Sequence, residues 1–136
     1  MNPNALDLDS LLERHQRAPH RLVQILREIQ AQLLWLPRDT LAAVANALGL
    51  SLAHVEGVAG FYRFFHSQPV GQYRVLFSDN ITDRMQGSEE MRRHLRHLLK
   101  VEHHAMRADG RVSVAATSCT GMCDQGPAAL VNHHQL

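Results

Sequence analysis

Apolar residues recur at helical spacing through the first half of the chain and at strand spacing through much of the second. Leu22, Ile25, Leu26, Ile29 and Leu33 follow a 3.6-residue period behind Pro19, which predicts a helix opened by that proline. Ser10 with Glu13 three residues on has the form of a capping box, so a short first helix is expected there. Pro37 ends the second element. A third helix is expected over Leu41 to Leu48 with Gly49 behind it, and a fourth from Ser51 to about Gly60 or Phe65. The pattern changes near Ser67 to Gly71. Gln72 to Phe77 is rich in β-branched and aromatic residues and predicts a strand. Ser88 to Lys100 returns to helical spacing through Met91, Leu95, Leu98 and Leu99. Asp109-Gly110 is a turn signal, Val112 to Ala116 a second strand, and Ala128 to Val131 a third. The pattern by itself specifies an α/β or α+β chain, helical to about residue 66 and with its sheet after about 70.

Composition narrows the class. The chain has 136 residues and 45% apolar side chains, enough for one domain or two small ones with a real core. Its formal charge is +1 with no block of like charges, which argues against nucleic acid as a partner. No apolar run is long enough to span a membrane. Met1 to Ser10 lacks the basic and apolar regions of a secretory signal. The two cysteines lie close together, a poor disulfide framework that fits a cytoplasmic setting.

Those cysteines carry the most specific chemistry. Cys119 and Cys123 sit in the small-residue run Thr117-Ser118-Cys119-Thr120-Gly121-Met122-Cys123-Asp124-Gln125-Gly126-Pro127-Ala128 between two strand-like segments. Two thiolates at this spacing can hold one iron of a cluster, but a whole cluster takes four ligands and the chain has no other cysteine. A dithiol redox role is also open, although C-x3-C is not the C-x-x-C of thioredoxin-like oxidoreductases. The bland alternative is two small residues, with Gly121, Gly126 and Pro127 shaping a tight connection.

The run Cys119-x3-Cys123-Asp124-x-Gly126-Pro127 resembles the second half of the 2Fe–2S motif in the 24 kDa subunit family of NADH:quinone oxidoreductase. That family has C-x4-C, a long gap, then C-x3-C. Val58-Ala59-Gly60-Phe61-Tyr62-Arg63-Phe64-Phe65 resembles the family's A-[ST]-F-Y-x-x-F helix end. Pro69-x-Gly71-x-Tyr73-Arg74-Val75 resembles its entry to the first strand. Gly87-Ser88-Glu89-Glu90 and Asp109-Gly110-Arg111-Val112 resemble a helix start and a turn of the family. Counted back from Gly87, the missing cysteine positions fall on Ser78 and Asp83. This degenerate pattern is most similar to the N-terminal domain of the diaphorase large subunit of NAD-reducing hydrogenases.

The resemblance implies an α+β chain: an N-terminal helical bundle, residues 1–68, followed by a truncated thioredoxin-like ferredoxin-type domain, residues 69–136. It implies a fragment of a longer polypeptide, since the family continues past the last strand. It also implies a remnant cofactor site at Cys119 and Cys123, with Ser78 and Asp83 at the other two positions. No stoichiometric 2Fe–2S cluster is expected here; FMN, NAD and 4Fe–4S are expected on an adjoining flavoprotein domain. The expected role is an accessory scaffold that docks to that domain and to other diaphorase or hydrogenase subunits. An electron-transfer domain with mixed cluster ligands, and a free-standing interaction protein keeping only the fold, are the alternatives.

Other candidates carry less. His103-His104 and His133-His134 are adjacent pairs whose side chains diverge, so neither pair chelates well alone. His94 and His97 share a helix face with Arg92, Arg93 and Arg96, which repels a cation. Asp79 to Asp83 lacks the spacing of a calcium loop and is expected to be a polar turn. Phe61, Tyr62, Phe64 and Phe65 are expected to join the helical part to the sheet, with Phe61, Phe64 or Phe65 buried against the second part. No hydrolase elbow, phosphate-cradling glycine loop or zinc-protease motif is present.

Overall fold

A computed structural model describes residues 6–102, 106–132, 134 and 135. The chain divides into two compact units, Met1–Pro69 and Val70–Leu136. The fold is α+β with all of its described strands in the second unit, in agreement with the pattern of the sequence.

Among its described residues the first unit holds four α-helices: α1 (Leu8–Arg14), α2 (Leu22–Leu33), α3 (Arg38–Leu48) and α4 (Leu52–Phe61). Pro19 opens a 3-10 turn, Pro19–Arg21, ahead of α2. The first cap differs from expectation. Asp7, not Ser10, accepts the free backbone N–H at the start of α1, at 3.1 Å from Ser10 N. The acidic side chain lies one turn earlier than the serine and also takes the Ser10 hydroxyl. α2 ends at Leu34, which adopts left-handed backbone, before Pro37 is reached. Gly49 terminates α3 in the left-handed region at φ +66°, and the Ser51 hydroxyl caps α4, both as the sequence predicts. Leu11, Leu12, Ile25, Leu26, Ile29, Val44 and Val55 form the core, each at most 1% exposed.

The aromatic run corrects a second expectation. Phe65 is buried in the core of the helical unit itself, while Phe61 and Phe64 are 78% and 44% exposed. Gln30 explains the path of this segment. Its buried side-chain amide donates to Phe64 O and accepts from His66 N, both at 2.7 Å. The chain after α4 is thereby tied back to α2, which directs Phe65 inward.

The second unit runs β1 (Tyr73–Ser78), α5 (Ile81–Met85), α6 (Ser88–Leu99), β2 (Val112–Thr117), β3 (Ala129–Val131) and β4 (His134–Gln135). The sheet order is β2-β1-β3-β4. β1 and β2 are parallel, from Tyr73 opposite Val112 to Ser78 opposite Thr117. β3 runs antiparallel to β1, with Phe77 opposite Ala129. Parallel neighbours need a crossover, and α6 supplies it. Leu95 and Leu99 of α6 pack on Val75, Phe77, Val114 and Ala129 of the sheet. Met91 and Leu98, which fit the same apolar period, face outward. Asp79 to Asp83 is not a simple turn: Asn80 caps the short helix α5, accepting at Oδ1 from Asp83 N at 3.0 Å. β4 is an added strand that the periodicity of the sequence does not predict.

Candidate functional site

Topology brings the candidate residues together. Because β1 and β2 are parallel, the loops after Ser78 and Thr117 leave the sheet at one end. Because β3 is antiparallel to β1, the connection into Ala129 arrives at that same end. In open α/β sheets this carboxyl end is the usual place for ligands. The segment after Ser78, the cysteine loop and the approach to β3 therefore share one corner.

The oxygen side of this corner is closed on itself. Ser78 is 1% exposed and Asp83 is fully buried. The Asp83 carboxylate accepts from Ala128 N through Oδ1 at 3.0 Å. Its Oδ2 accepts from the Asn80 amide nitrogen. The same nitrogen donates to Ser78 Oγ at 2.9 Å and reaches Cys123 Sγ at 3.6 Å. An amide has two hydrogens for these three acceptors, and the sulfur, the weakest acceptor, is the farthest. Ser78 N donates to Ala128 O at 3.0 Å, so the backbone entering β3 is held on both its N–H and its C=O.

The thiols form the open side. Both cysteines are exposed, and their sulfurs are 3.1 Å apart. Gly121, left-handed at φ +83°, turns the loop so that its N–H donates to Cys119 Sγ at 3.3 Å. The contact with Cys123 and then the Gly121 N–H pull the Cys119 thiol below its ordinary pKa. The same sulfur–sulfur contact, followed by desolvation, pushes Cys123 above it.

Gly126 fits closely against this site. A Cβ there would lie 2.3 Å from Asp83 Oδ1 and 2.3 Å from Gln86 Oε1. The glycine thus allows the loop to pass over the carboxylate. Asn80 is the member of the site that sequence reasoning missed. Its signal was the spacing Asn80-x-x-Asp83, a helix-cap pattern at the start of α5.

The remaining candidates are not brought to this corner by any described contact. His94 and His97 are exposed on α6 and His134 is exposed in β4. His103, His104 and His133 lie outside the described residues. Among the described residues no group of three or more His, Cys, Asp or Glu side chains is placed to hold a metal ion. A shallow depression of about 470 Å³ lies along α4, lined by Ala53, His54, Gly57, Val58, Phe61 and Tyr62, with no convergent charged groups.

A family model described as thioredoxin-like [2Fe-2S] ferredoxin matches residues 8–136. The chain belongs to this family. One subunit of the NADH-quinone oxidoreductase of Escherichia coli K12 is 31% identical to this ferredoxin-family chain over 110 residues, which are 81% of the chain and 66% of that relative. The alpha subunit of the NAD-reducing hydrogenase HoxS of Cupriavidus necator is 27% identical over 125 residues, 92% of the chain and 21% of the relative. A crystal structure of an air-oxidized NAD+-reducing [NiFe]-hydrogenase superposes with a TM-score of 0.73 at 30% identity, over 89% of this chain and 21% of the matched one. The chain thus spans just under two thirds of the first relative and about a fifth of the hydrogenase chains.

The residues present do not fit the cofactor that gives the family its description. A 2Fe–2S cluster takes four ligands, typically thiolates. The chain has two cysteines, and the two further positions that the resemblance points to, Ser78 and Asp83, carry oxygen donors. Asp83 is out of reach of solvent with both oxygens engaged, and Asn80 lies across the space between the two halves. Oxygen is also a harder donor than sulfur and suits an iron–sulfide core less well.

Proposed function

We propose that this chain is an accessory, scaffolding domain of an NADH-linked flavin diaphorase, of the soluble NAD-reducing hydrogenase type. It docks to the FMN- and NAD-binding flavoprotein domain, where the hydride chemistry occurs, in a cytoplasmic complex. The relatives named for NADH-quinone oxidoreductase and NAD-reducing hydrogenase support the setting. One observation carries the scaffold reading: Ser78 and Asp83, at the positions the resemblance pairs with cluster cysteines, are tied together by the Asn80 amide, and Asp83 holds the Ala128 N–H. A cluster cross-links the loops around it. Here the Asp83 carboxylate links the start of α5 to Ala128, and the Asn80 amide links it to Ser78 at the end of β1.

The test has two arms. Iron and acid-labile sulfide are assayed on anaerobically purified protein, and content well below one 2Fe–2S cluster per chain is expected. A stoichiometric cluster with its visible bands overturns the scaffold reading in favour of an electron-transfer domain with mixed ligands. In the second arm the tagged chain is mixed with the flavoprotein subunit of an NADH-linked diaphorase. Co-elution is expected, and separate elution at micromolar concentration overturns the docking.

A further inference from the structure

We propose that Cys119 and Cys123 form a reversible dithiol–disulfide site, oxidised by low-molecular-weight disulfides of the glutathione class. This inference rests on the cluster-free reading above, because a bound cluster would occupy both sulfurs. Three observations carry it. The sulfurs are 3.1 Å apart, so a bond of about 2.05 Å needs them to close by about 1 Å. Both residues are exposed, so an external disulfide reaches either sulfur. The loop between them turns at Gly121, whose φ of +83° already brings its ends together. Opposite the thiols, the oxygen donors Ser78 and Asp83 are closed by Asn80, so the thiols have no four-ligand shell to complete.

The reaction balances as two thiol–disulfide exchanges. One cysteine attacks the oxidant's disulfide, forming a mixed disulfide and releasing one thiol of the oxidant. The second cysteine attacks the protein sulfur of that mixed disulfide, forming the Cys119–Cys123 bond and releasing the second thiol. The protein loses two electrons and two protons, and the oxidant gains both. Reduced glutathione drives the reverse direction.

The experiment uses the full chain, purified anaerobically, with iron and sulfide measured on the same sample. Oxidised glutathione is added in stages and free thiols are trapped with a maleimide before intact-mass analysis. The expected product has lost the mass of two hydrogens, takes no maleimide and carries no glutathione. Excess reduced glutathione restores both alkylation sites. Cys119→Ser and Cys123→Ser each stop at a stable mixed disulfide. If an iron-free native chain accumulates mixed disulfide, or keeps both thiols alkylatable, the inference fails while the scaffold reading stands. If the sample carries a stoichiometric cluster, both fail.

Discussion

At the scale of single residues, Asp83 does structural work at a position where the resemblance alone points to a cofactor. Removing its carboxylate leaves the buried Ala128 N–H without a partner, and such a loss costs about 1–3 kcal/mol. Asp83→Ala is expected to lower stability by that amount in urea unfolding. Gly126→Ala forces a methyl against the same carboxylate and is expected to cost about 1–3 kcal/mol as an overpacked site. The double variant is expected to lose less than the sum, because removing the carboxylate removes part of the clash. Strict additivity in the unfolding midpoints would show that the two residues do not meet. A second residue-scale outcome concerns Asp109. The Arg107 guanidinium, and then the Arg111 N–H, hold its carboxyl down at about 2, below the ordinary 3.8. The folded value is depressed, so the stabilisation is present above the ordinary value and is lost as pH falls from about 4 toward 2. A carboxyl-carbon NMR titration of Asp109 should show the low midpoint, and Arg107→Gln should move it upward. An unmoved midpoint would rule out the arginine as its cause.

At the scale of elements, the sequence was most legible where period and caps agree. The α2 stripe, Gly49 behind α3 and Ser51 ahead of α4 were readable because each follows from local backbone chemistry. Leu34 ending α2 was not readable, since a leucine in left-handed backbone is held by its surroundings rather than by its own preference. The inward turn of Phe65 was hidden for a similar reason. It depends on Gln30, more than thirty residues earlier, whose amide no periodicity would mark as buried. Gln30→Leu keeps the volume but strips two backbone groups of their partners. It is expected to cost about 1–3 kcal/mol and to raise amide exchange at His66 while leaving α3 amides protected. Unchanged exchange at His66 would show that the clamp does not hold this segment.

At the scale of the whole molecule, the candidate site is a product of strand direction. Ser78, Asp83, Cys119 and Cys123 were assembled from the sequence only through a family resemblance, because no local pattern relates residues forty positions apart. The parallel pairing of β1 with β2 explains why they meet. Asn80 could not be foreseen as the bridge, because a cap residue normally spends its side chain on its own helix. This residue also corrects the simplest way of rebuilding a four-thiolate site. Ser78→Cys with Asp83→Cys removes the two oxygens that hold the Asn80 amide but leaves that amide beside Cys123 Sγ, so the double variant is expected to take up little 2Fe–2S cluster on reconstitution. Adding Asn80→Ser keeps an oxygen to cap α5 and removes the amide. The triple variant is expected to gain iron, sulfide and the spectrum of a reduced cluster, several-fold above the double. Equal, low uptake in both would show that Asn80 is not the obstacle.

Gly71 lies at the opposite end of β1 from this corner, and its backbone passes so close to β2 that a Cβ would stand 2.5 Å from the Val112 carbonyl carbon. Its N–H meets the Ser113 hydroxyl at 3.3 Å. Only one residue of this segment lacks a side chain, so only one alignment of the two strands lets them approach there. A slip by one position would drive Val70 or Gln72 into the Val112 backbone. The glycine therefore acts as an indexing notch for the pair, and six residue pairs follow from it in fixed order up to Ser78 opposite Thr117. Which side chains face one another at the cysteine corner is decided at the far end of the strand, by a residue that touches none of them.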